Sequence, residues 1–398
     1  MFLCRGFYLS NLTKQPRDSI AAMNSNGIMY KSRWTVLLVA TFLVLANLFV
    51  SAAPVPTRLS DEQFWKLATE SSEDDGYFRS DNLLSNETTF QYVIPEVLKV
   101  AKQGRVYLGV GPEQNFTYMA ALKPSMAFII DIRHGNFDVQ LLYKALFELS
   151  ADRADFVSRL FSRKRPAGLT AQSSVTQIFD AILASASTKQ VYEENLKTIE
   201  DHLMKKHNFA LTSGDREGIA WALSNYYRFG PNISYGSSLS TGVAPPSIVG
   251  ATTFGRFGNN MATYEALMTA EDGQGQNRGY LANEENFNFL KDLQTRNLVI
   301  PVVGDFAGNK AIRAVGRYLK SVDGMVSAFY VSNVEQFLVD GGTWDTFCRS
   351  VDTLPHDESS MFIRSGRGGL YTVNSTGGNV QNSSAARMLP ELQCSAAR

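Results

Sequence analysis

The sequence predicts an α/β protein with a doubly wound, mostly parallel sheet and with helical and loop insertions. Two stretches carry this prediction, residues 106–131 and residues 298–331, and each reads as strand, helix, strand. A strand–helix–strand unit of this length requires parallel strands joined by a right-handed crossover. Two such units in one chain are typical of an open sheet that binds its ligand at the carboxyl ends of the strands.

Composition excludes several other classes of protein. The 398 residues include 38 basic and 38 acidic side chains, and 44% of all residues are hydrophobic. That apolar content is too high for a disordered chain, and the absence of positive excess gives no reason to expect a nucleic-acid partner. The three cysteines, Cys4, Cys348 and Cys394, are too scattered for a disulfide framework or a zinc knuckle.

The N-terminal region predicts that the main domain lies outside the cytoplasm. Residues 1–33 read as a leader, and residues 34–53 contain the apolar run TVLLVATFLVLANLFV followed by small residues. Basic residues before the run and small residues after it are typical of a signal peptide. The run also approaches the length of a single membrane anchor, and the preceding basic residues would keep the N-terminus in the cytoplasm. Either alternative places the main domain outside the cytoplasm, and an uncleaved segment would attach it to a membrane.

The folded domain is predicted over residues 58–365. It begins with a capping box at Ser60 that opens a helix, followed by a polar loop over residues 75–85. A helix is expected over residues 87–102, with a kink or a restart at Pro95.

The most informative stretch is the strand and glycine turn that follow. VYLGVG (106–111) is a buried strand ending in Gly109 and Gly111, residues 113–122 form a helix, and MAFIID (126–131) is a second strand. Glycines let a ligand approach the backbone, and a helix N-terminus offers free N–H groups. Asp131 lies about 20 residues beyond the first glycine, where an acid accepts ribose hydroxyls, so a nucleoside-type site is predicted.

The second half brings insertions and another acid at a strand end. A helical insertion is expected over about 151–208, and a loop region rich in glycine and aromatic residues over 229–262 is a candidate lid or substrate wall. LVIPVVGDF (298–306) is a strand that ends near Asp305. Residues 309–320 are expected to form a helix and residues 325–331 a strand. A further helix over 344–352 follows, and an edge strand over 360–364 completes the sheet. The glycine-rich tail, residues 366–398, is predicted to be flexible.

These motifs, in this order, resemble the Rossmann-like fold of S-adenosylmethionine-dependent methyltransferases. More closely, the chain resembles an uncharacterised bacterial family with that fold. The segments that carry the resemblance are VYLGVGPEQNFTYMAALKPSMAFIIDIR (106–133), YKALFELSADRADFVSRLFSR (143–163), NRGYLANEENFNFLKDLQTRNLVIPVVGDFAG (277–308) and AFYVSNVEQFL (328–338). They span most of the folded region.

The resemblance implies S-adenosylmethionine as cofactor and assigns roles to residues. Gly109 and Gly111 would face the methionine and ribose part, Asp131 would bind the ribose hydroxyls, and Asp305 would hold the catalytic place after the fourth strand. Glu113 belongs to the same cofactor-binding turn but departs from the family, which usually has a small residue there. The proposed substrate contacts are Asn277, Arg278 and Tyr280.

Three functions remain open from the sequence. The first is methyl transfer to an unknown substrate, which depends on alignment more than on acid–base groups. The second is a non-catalytic exported or anchored binding protein, favoured by the leader and by the altered turn. The third is a nicotinamide-dependent oxidoreductase, disfavoured because Gln114 replaces the third glycine of that pattern. No metal site is predicted, since His202 and His207 are five residues apart and do not share a regular helix face.

Overall fold

The computed structural model describes residues 54–78, 80–237, 261–366 and 382–388. The leader, the segment 34–53, most of the loop region 229–262 and most of the tail lie outside the described residues. Within the described ranges, no helix is both long enough and apolar enough to cross a membrane.

The first half of the domain alternates short strands with buried helices. Its elements are α1 (Asp61–Ser71), α2 (Ile94–Val97), β1 (Val106–Gly109), α3 (Gln114–Leu122), β2 (Met126–Asp131) and α4 (His134–Leu149). The predicted capping box is confirmed, since the Ser60 and Gln63 side chains each accept a hydrogen bond from the other's backbone N–H.

The middle of the chain is helical. Its elements are α5 (Arg153–Leu160), α6 (Val175–Ala184), α7 (Lys189–Asp201), a π-helical turn (His202–Lys206), α8 (Ser213–Phe229), a 3₁₀ turn (Gly230–Asn232), α9 (Tyr264–Thr269) and α10 (Glu284–Thr295). Helix α8 extends the predicted helical insertion beyond residue 208. Two glycines and several aromatic residues weaken its helix propensity, but a capping box between Thr212 and Asp215 marks its start.

The last part completes the sheet. Its elements are β3 (Val299–Val303), α11 (Ala311–Ser321), β4 (Val326–Ser332), α12 (Val334–Asp340), α13 (Trp344–Val351), β5 (Met361–Gly366) and β6 (Asn382–Arg387). The six strands lie in the order β3-β2-β1-β4-β5-β6. Strands β1 to β5 are parallel, and β6 is antiparallel to β5. The predicted α/β class and mostly parallel sheet are therefore confirmed.

The strand order decides where a ligand would be expected. Strands β2 and β3 extend from one side of β1, and β4 and β5 extend from the other. The chain reverses direction across the sheet between β1 and β4, and ligands of open sheets bind at the carboxyl end of that junction. Strand β1 is buried along its whole length, and β4 is buried up to its last residue, Ser332, which is half-buried.

Two predicted elements need correction. Regular α-helix within 87–102 is confined to α2. Pro95 lies in its first turn, where its missing N–H stops the helix from extending toward residue 87, so the alternative of a restart at Pro95 is the one found. The predicted edge strand β5 is not an edge, because residues of the predicted flexible tail pair with it as β6. Pairing β5 in this way covers hydrogen-bonding groups that would otherwise face solvent.

Candidate functional site

The glycine turn after β1 is held by a side chain of the following helix. The Asn115 amide donates to the backbone oxygens of Val110, Gly111 and Pro112, and its Oδ1 accepts a hydrogen bond from the Tyr107 hydroxyl at 2.8 Å. A Cβ on Gly109 would lie 1.9 Å from that Oδ1. The predicted glycine is therefore required here by close approach of the protein's own Asn115.

Gly111 is required for a different reason. Its φ is +80°, and a Cβ there would meet no atom within 4 Å. Only backbone conformation demands glycine at this position, because other residues rarely adopt positive φ.

Glu113, at the start of α3, is fully buried. Its Oε1 accepts a weak hydrogen bond from the Ser85 backbone N–H at 3.3 Å, and its Oε2 has no hydrogen-bond partner among the described residues. Burial raises the pKa of this carboxyl from 4.5 to about 8, so it is neutral at pH 7.

A group of buried tyrosines lies close enough to Glu113 to respond to its charge. Burial raises the pKa of each of these tyrosines, and the Glu113 carboxylate raises it further; the group consists of Tyr143, Tyr226, Tyr264 and Tyr280. The Tyr143 and Tyr226 hydroxyls are 2.8 Å apart, and the Tyr264 hydroxyl bonds to that of Tyr280. The structure thus brings Tyr280, a predicted substrate contact, into the same interior region as Glu113.

Asp131, the predicted ribose-binding acid, is already paired. Its Oδ1 accepts from Arg133 Nε at 2.9 Å and its Oδ2 from Arg133 NH2 at 2.8 Å, and the Arg133 backbone N–H adds a third bond. Both side chains are more than nine-tenths buried. This bidentate ion pair leaves the carboxylate poorly placed to receive ribose hydroxyls.

A second buried acid, which the sequence reasoning missed, lies against the carboxyl end of β4 and against β6. Glu87 Oε1 accepts from the Tyr330 hydroxyl at 2.5 Å and from the Ser332 hydroxyl at 2.6 Å, and its Oε2 accepts from Ser383 at 3.3 Å. Burial raises the pKa of Glu87. Gln114 also donates to the Tyr330 hydroxyl, at 2.6 Å. No sequence motif marks Glu87, which the sequence predicts to begin a helix and which instead lies in the loop before α2.

The chain segment that follows α1 covers the carboxyl ends of β2 and β3. The Glu73 carboxylate accepts from the backbone N–H groups of Asp305, Lys310 and Ala311, at the start of α11. Asp75 accepts from the backbone N–H of His134 at 2.7 Å, at the start of α4. Both helix N-termini, which favour an anion, are therefore satisfied by acids of this segment.

Asp305 does not occupy the predicted place. It follows β3, which is the edge strand next to β2, and not the fourth strand beside β1. Its Oδ1 accepts from the Ala307 backbone N–H at 2.8 Å, which stabilises its own loop. The sequence shows the strand itself but not its neighbours in the sheet, and this caused the error.

The remaining predicted substrate contacts make local bonds. Asn277 binds the backbone of Met268 and Gly279, and Arg278 forms an ion pair with Asp272 at 2.6 Å. These bonds shape the loop before α10, whereas Tyr280 is buried close enough to Glu113 for its pKa to respond to that charge.

Among the described residues, two clusters have the composition of a metal site. In the first, Glu148 Oε2 lies 2.7 Å from His202 Nε2 and 2.6 Å from His207 Nε2, while its Oε1 accepts from Lys144 Nζ at 2.7 Å. The π-helical turn brings the two histidines together, because its bonds join residues five apart. The prediction that this spacing separates them is wrong for that reason.

The Glu148 cluster has its own cation. Burial acts to raise the pKa of Glu148, but hydrogen bonds from His202, His207 and Lys144 hold it well below its usual range. Lys144 Nζ also donates to the backbone oxygen of Gln294 and to Asn297 Oδ1. A charged amine with three acceptors makes this cluster a buried structural network.

The second cluster lies between α4 and α8. His134 Nε2 is 2.6 Å from Asp215 Oδ1 and 3.7 Å from Asp138 Oδ1. Burial and the neighbouring Asp215 raise the pKa of Asp138 to about 9. The i,i+4 spacing of His134 and Asp138 was the sequence signal that could have found them, but Asp215 comes close only through helix packing.

These features define an α/β protein whose sheet edge carries buried acids held by the chain's own donors. The family model for a domain of unknown function, DUF7790, matches residues 83–221 and 252–389, more than half of the chain. The chain belongs to that family. No curated protein matches it.

Proposed function

We propose that the chain is a non-catalytic binding protein built on a methyltransferase-like sheet, with the ligand crevice of that fold occupied by its own side chains. The observation that carries the proposal is Glu87, whose buried carboxylate takes hydrogen bonds from Tyr330 and Ser332 at the carboxyl end of β4. The carboxyl end of β4 borders the junction with β1, where a ligand of this fold is expected.

The predicted cofactor residues support the same proposal. S-adenosylmethionine does not fit them as they stand, because Arg133 holds both oxygens of Asp131 and Asn115 lies against Gly109. A ribose would have to displace a buried bidentate ion pair, and breaking such a pair costs about 3–5 kcal/mol.

Calorimetric titration of the full-length chain tests this proposal. S-adenosylmethionine and NAD are each added up to about 1 mM, a concentration that corresponds to about −4 kcal/mol of binding free energy. We expect no saturable heat for either compound. Micromolar binding of S-adenosylmethionine that Asp131→Asn abolishes, with an unchanged circular dichroism spectrum, would refute the proposal.

A second candidate is S-adenosylmethionine-dependent methyl transfer, which the strand order favours. The order β3-β2-β1-β4-β5 is the strand order of the Rossmann fold in general. The unpartnered Glu113 Oε2 beside the glycine turn favours a polar ligand. The same titration decides between the candidates, because only this one requires the cofactor to bind.

We further propose that residues 34–53 export or anchor the domain, so that it works outside the cytoplasm. The support is the apolar run with basic residues before it and small residues after it. A C-terminal reporter that is active on one side of the membrane tests this. Activity on the cytoplasmic side would contradict it and would favour the methyltransferase candidate.

A further inference from the structure

We propose that His134, Asp138 and Asp215 bind a divalent transition-metal ion between α4 and α8. One imidazole nitrogen and two carboxylate oxygens form a donor set suited to Zn²⁺ or Mn²⁺. His134 follows the carboxyl end of β2, and the metal proposal does not depend on the function proposed for Glu87 at the end of β4.

The three donor atoms are close enough for one ion. All lie within 4.8 Å of one another. Ligands at about 2.1 Å from a tetrahedral ion are separated by roughly 3.4 Å. The distance of 3.7 Å between His134 Nε2 and Asp138 Oδ1 already agrees with this separation. The distance of 2.6 Å between His134 Nε2 and Asp215 Oδ1 would have to increase by less than about 1 Å.

The two helices hold these side chains in place. His134 and Asp138 lie one turn apart at the start of α4, so they share a helix face. Asp215 is fixed by the capping box of α8, in which its Oδ2 accepts from the Thr212 N–H at 2.6 Å. This leaves Oδ1 directed to the cluster, as an outer hydrogen bond orients a metal ligand.

A glycine on α8 makes room for the second carboxylate. A Cβ on Gly218 would lie 2.0 Å from Asp138 Oδ2. Any larger residue would displace Asp138 from the cluster, so the close approach of α8 to α4 depends on this glycine.

Asp138 is the independent sign that a cation belongs here. Its side chain is 4% exposed, its Oδ1 lies 3.7 Å from His134 Nε2 without a hydrogen bond from any described N–H or hydroxyl group, and the side chain that bonds to it is another acid, Asp215. Two buried acids therefore lie against one imidazole, and a divalent cation would neutralise both. No lysine or arginine pairs with Asp138 or Asp215 in the described part of the chain, whereas Lys144 does this for Glu148.

The cluster is also accessible. The His134 side chain is 40% exposed, so an ion can enter from solvent and keep water in its remaining coordination position. Three protein ligands with one open position is the arrangement of catalytic rather than structural zinc sites.

The test uses the full-length chain after removal of metals with a chelator and dialysis. Titration with ZnCl₂ and MnCl₂ by calorimetry should show one ion per chain for at least one of the two. Asp138→Asn keeps the side-chain shape and should weaken binding at least about 100-fold, and the bound ion should raise the melting temperature of the wild type. Equal binding by the wild type and Asp138→Asn would overturn the proposal.

His202→Gln is the matched control, because it changes a histidine of the Glu148 cluster. It should bind metal as the wild type does, and metal binding lost in this variant but kept in Asp138→Asn would assign the ion to the other cluster. If Asp138→Asn does not fold, ¹⁵N imidazole NMR of the wild type replaces it. Addition of Zn²⁺ should then shift the Nε2 resonance assigned to His134 through His134→Gln, and an unchanged resonance would contradict the proposal.

Discussion

The buried carboxyl of Glu113 makes a sharp prediction about stability and pH. Its pKa is raised from 4.5 to about 8 because burial penalises the charged form. At about 1.4 kcal/mol for each tenfold change, the full shift corresponds to about 5 kcal/mol. Below pH 4.5 the group is protonated in both the folded and the unfolded chain, so its contribution to stability is fully present.

As pH rises above 4.5, the unfolded chain releases this proton while the folded chain keeps it. The free energy of unfolding therefore falls until the folded pKa, about 8, is passed. Between pH 5 and pH 8 the loss from this one group is about 3.5 kcal/mol. Glu113→Gln keeps the shape and carries no proton that titrates, so the loss should disappear from the variant.

Urea unfolding followed by tryptophan fluorescence at pH 5, 6, 7 and 8 measures this difference. The wild type should lose about 3.5 kcal/mol more than Glu113→Gln across this range. Other titrating groups act in both proteins and cancel in the comparison. Glu70→Gln, at an exposed position, should follow the wild type. Parallel pH curves for the wild type and Glu113→Gln would refute the reasoning.

Three further predictions concern stability and aggregation. Glu148→Ala should lower the free energy of unfolding by about 3–5 kcal/mol, measured by thermal or urea unfolding, because Lys144, only 1% exposed, would lose its partner. Glu96→Ala, at an exposed pair, should lower it by less than about 1 kcal/mol. A loss as small as that for Glu148→Ala would argue against a buried network. Gly109→Ala should cost about 1–3 kcal/mol through overlap with Asn115, and Asn115→Ala should relieve part of it in the double variant; full additivity would deny the contact. A chain that ends at residue 366 should aggregate more by light scattering than one that ends at residue 388, because it uncovers the edge of β5; equal scattering would contradict this.

The local elements of the fold follow from short-range chemistry and could be predicted. Apolar runs between breakers define β1, β2 and β3, and β2 is found over the predicted residues Met126–Asp131. The capping box at Ser60 marks the start of α1. Such signals act within a few residues, where each side chain meets its own backbone, so the sequence displays them directly.

The candidate site depends on contacts between distant residues. The sequence by itself determined that Gly109 and Asp131 stand at strand ends in an α/β protein, because glycine turns and apolar periodicity are local. Only the tertiary structure decided that Glu87 meets the carboxyl end of β4, that Asp305 follows the edge strand, and that Asp215 meets His134. Strand order and helix packing arise from burial of the whole core, and burial is a property of the assembled chain rather than of any segment.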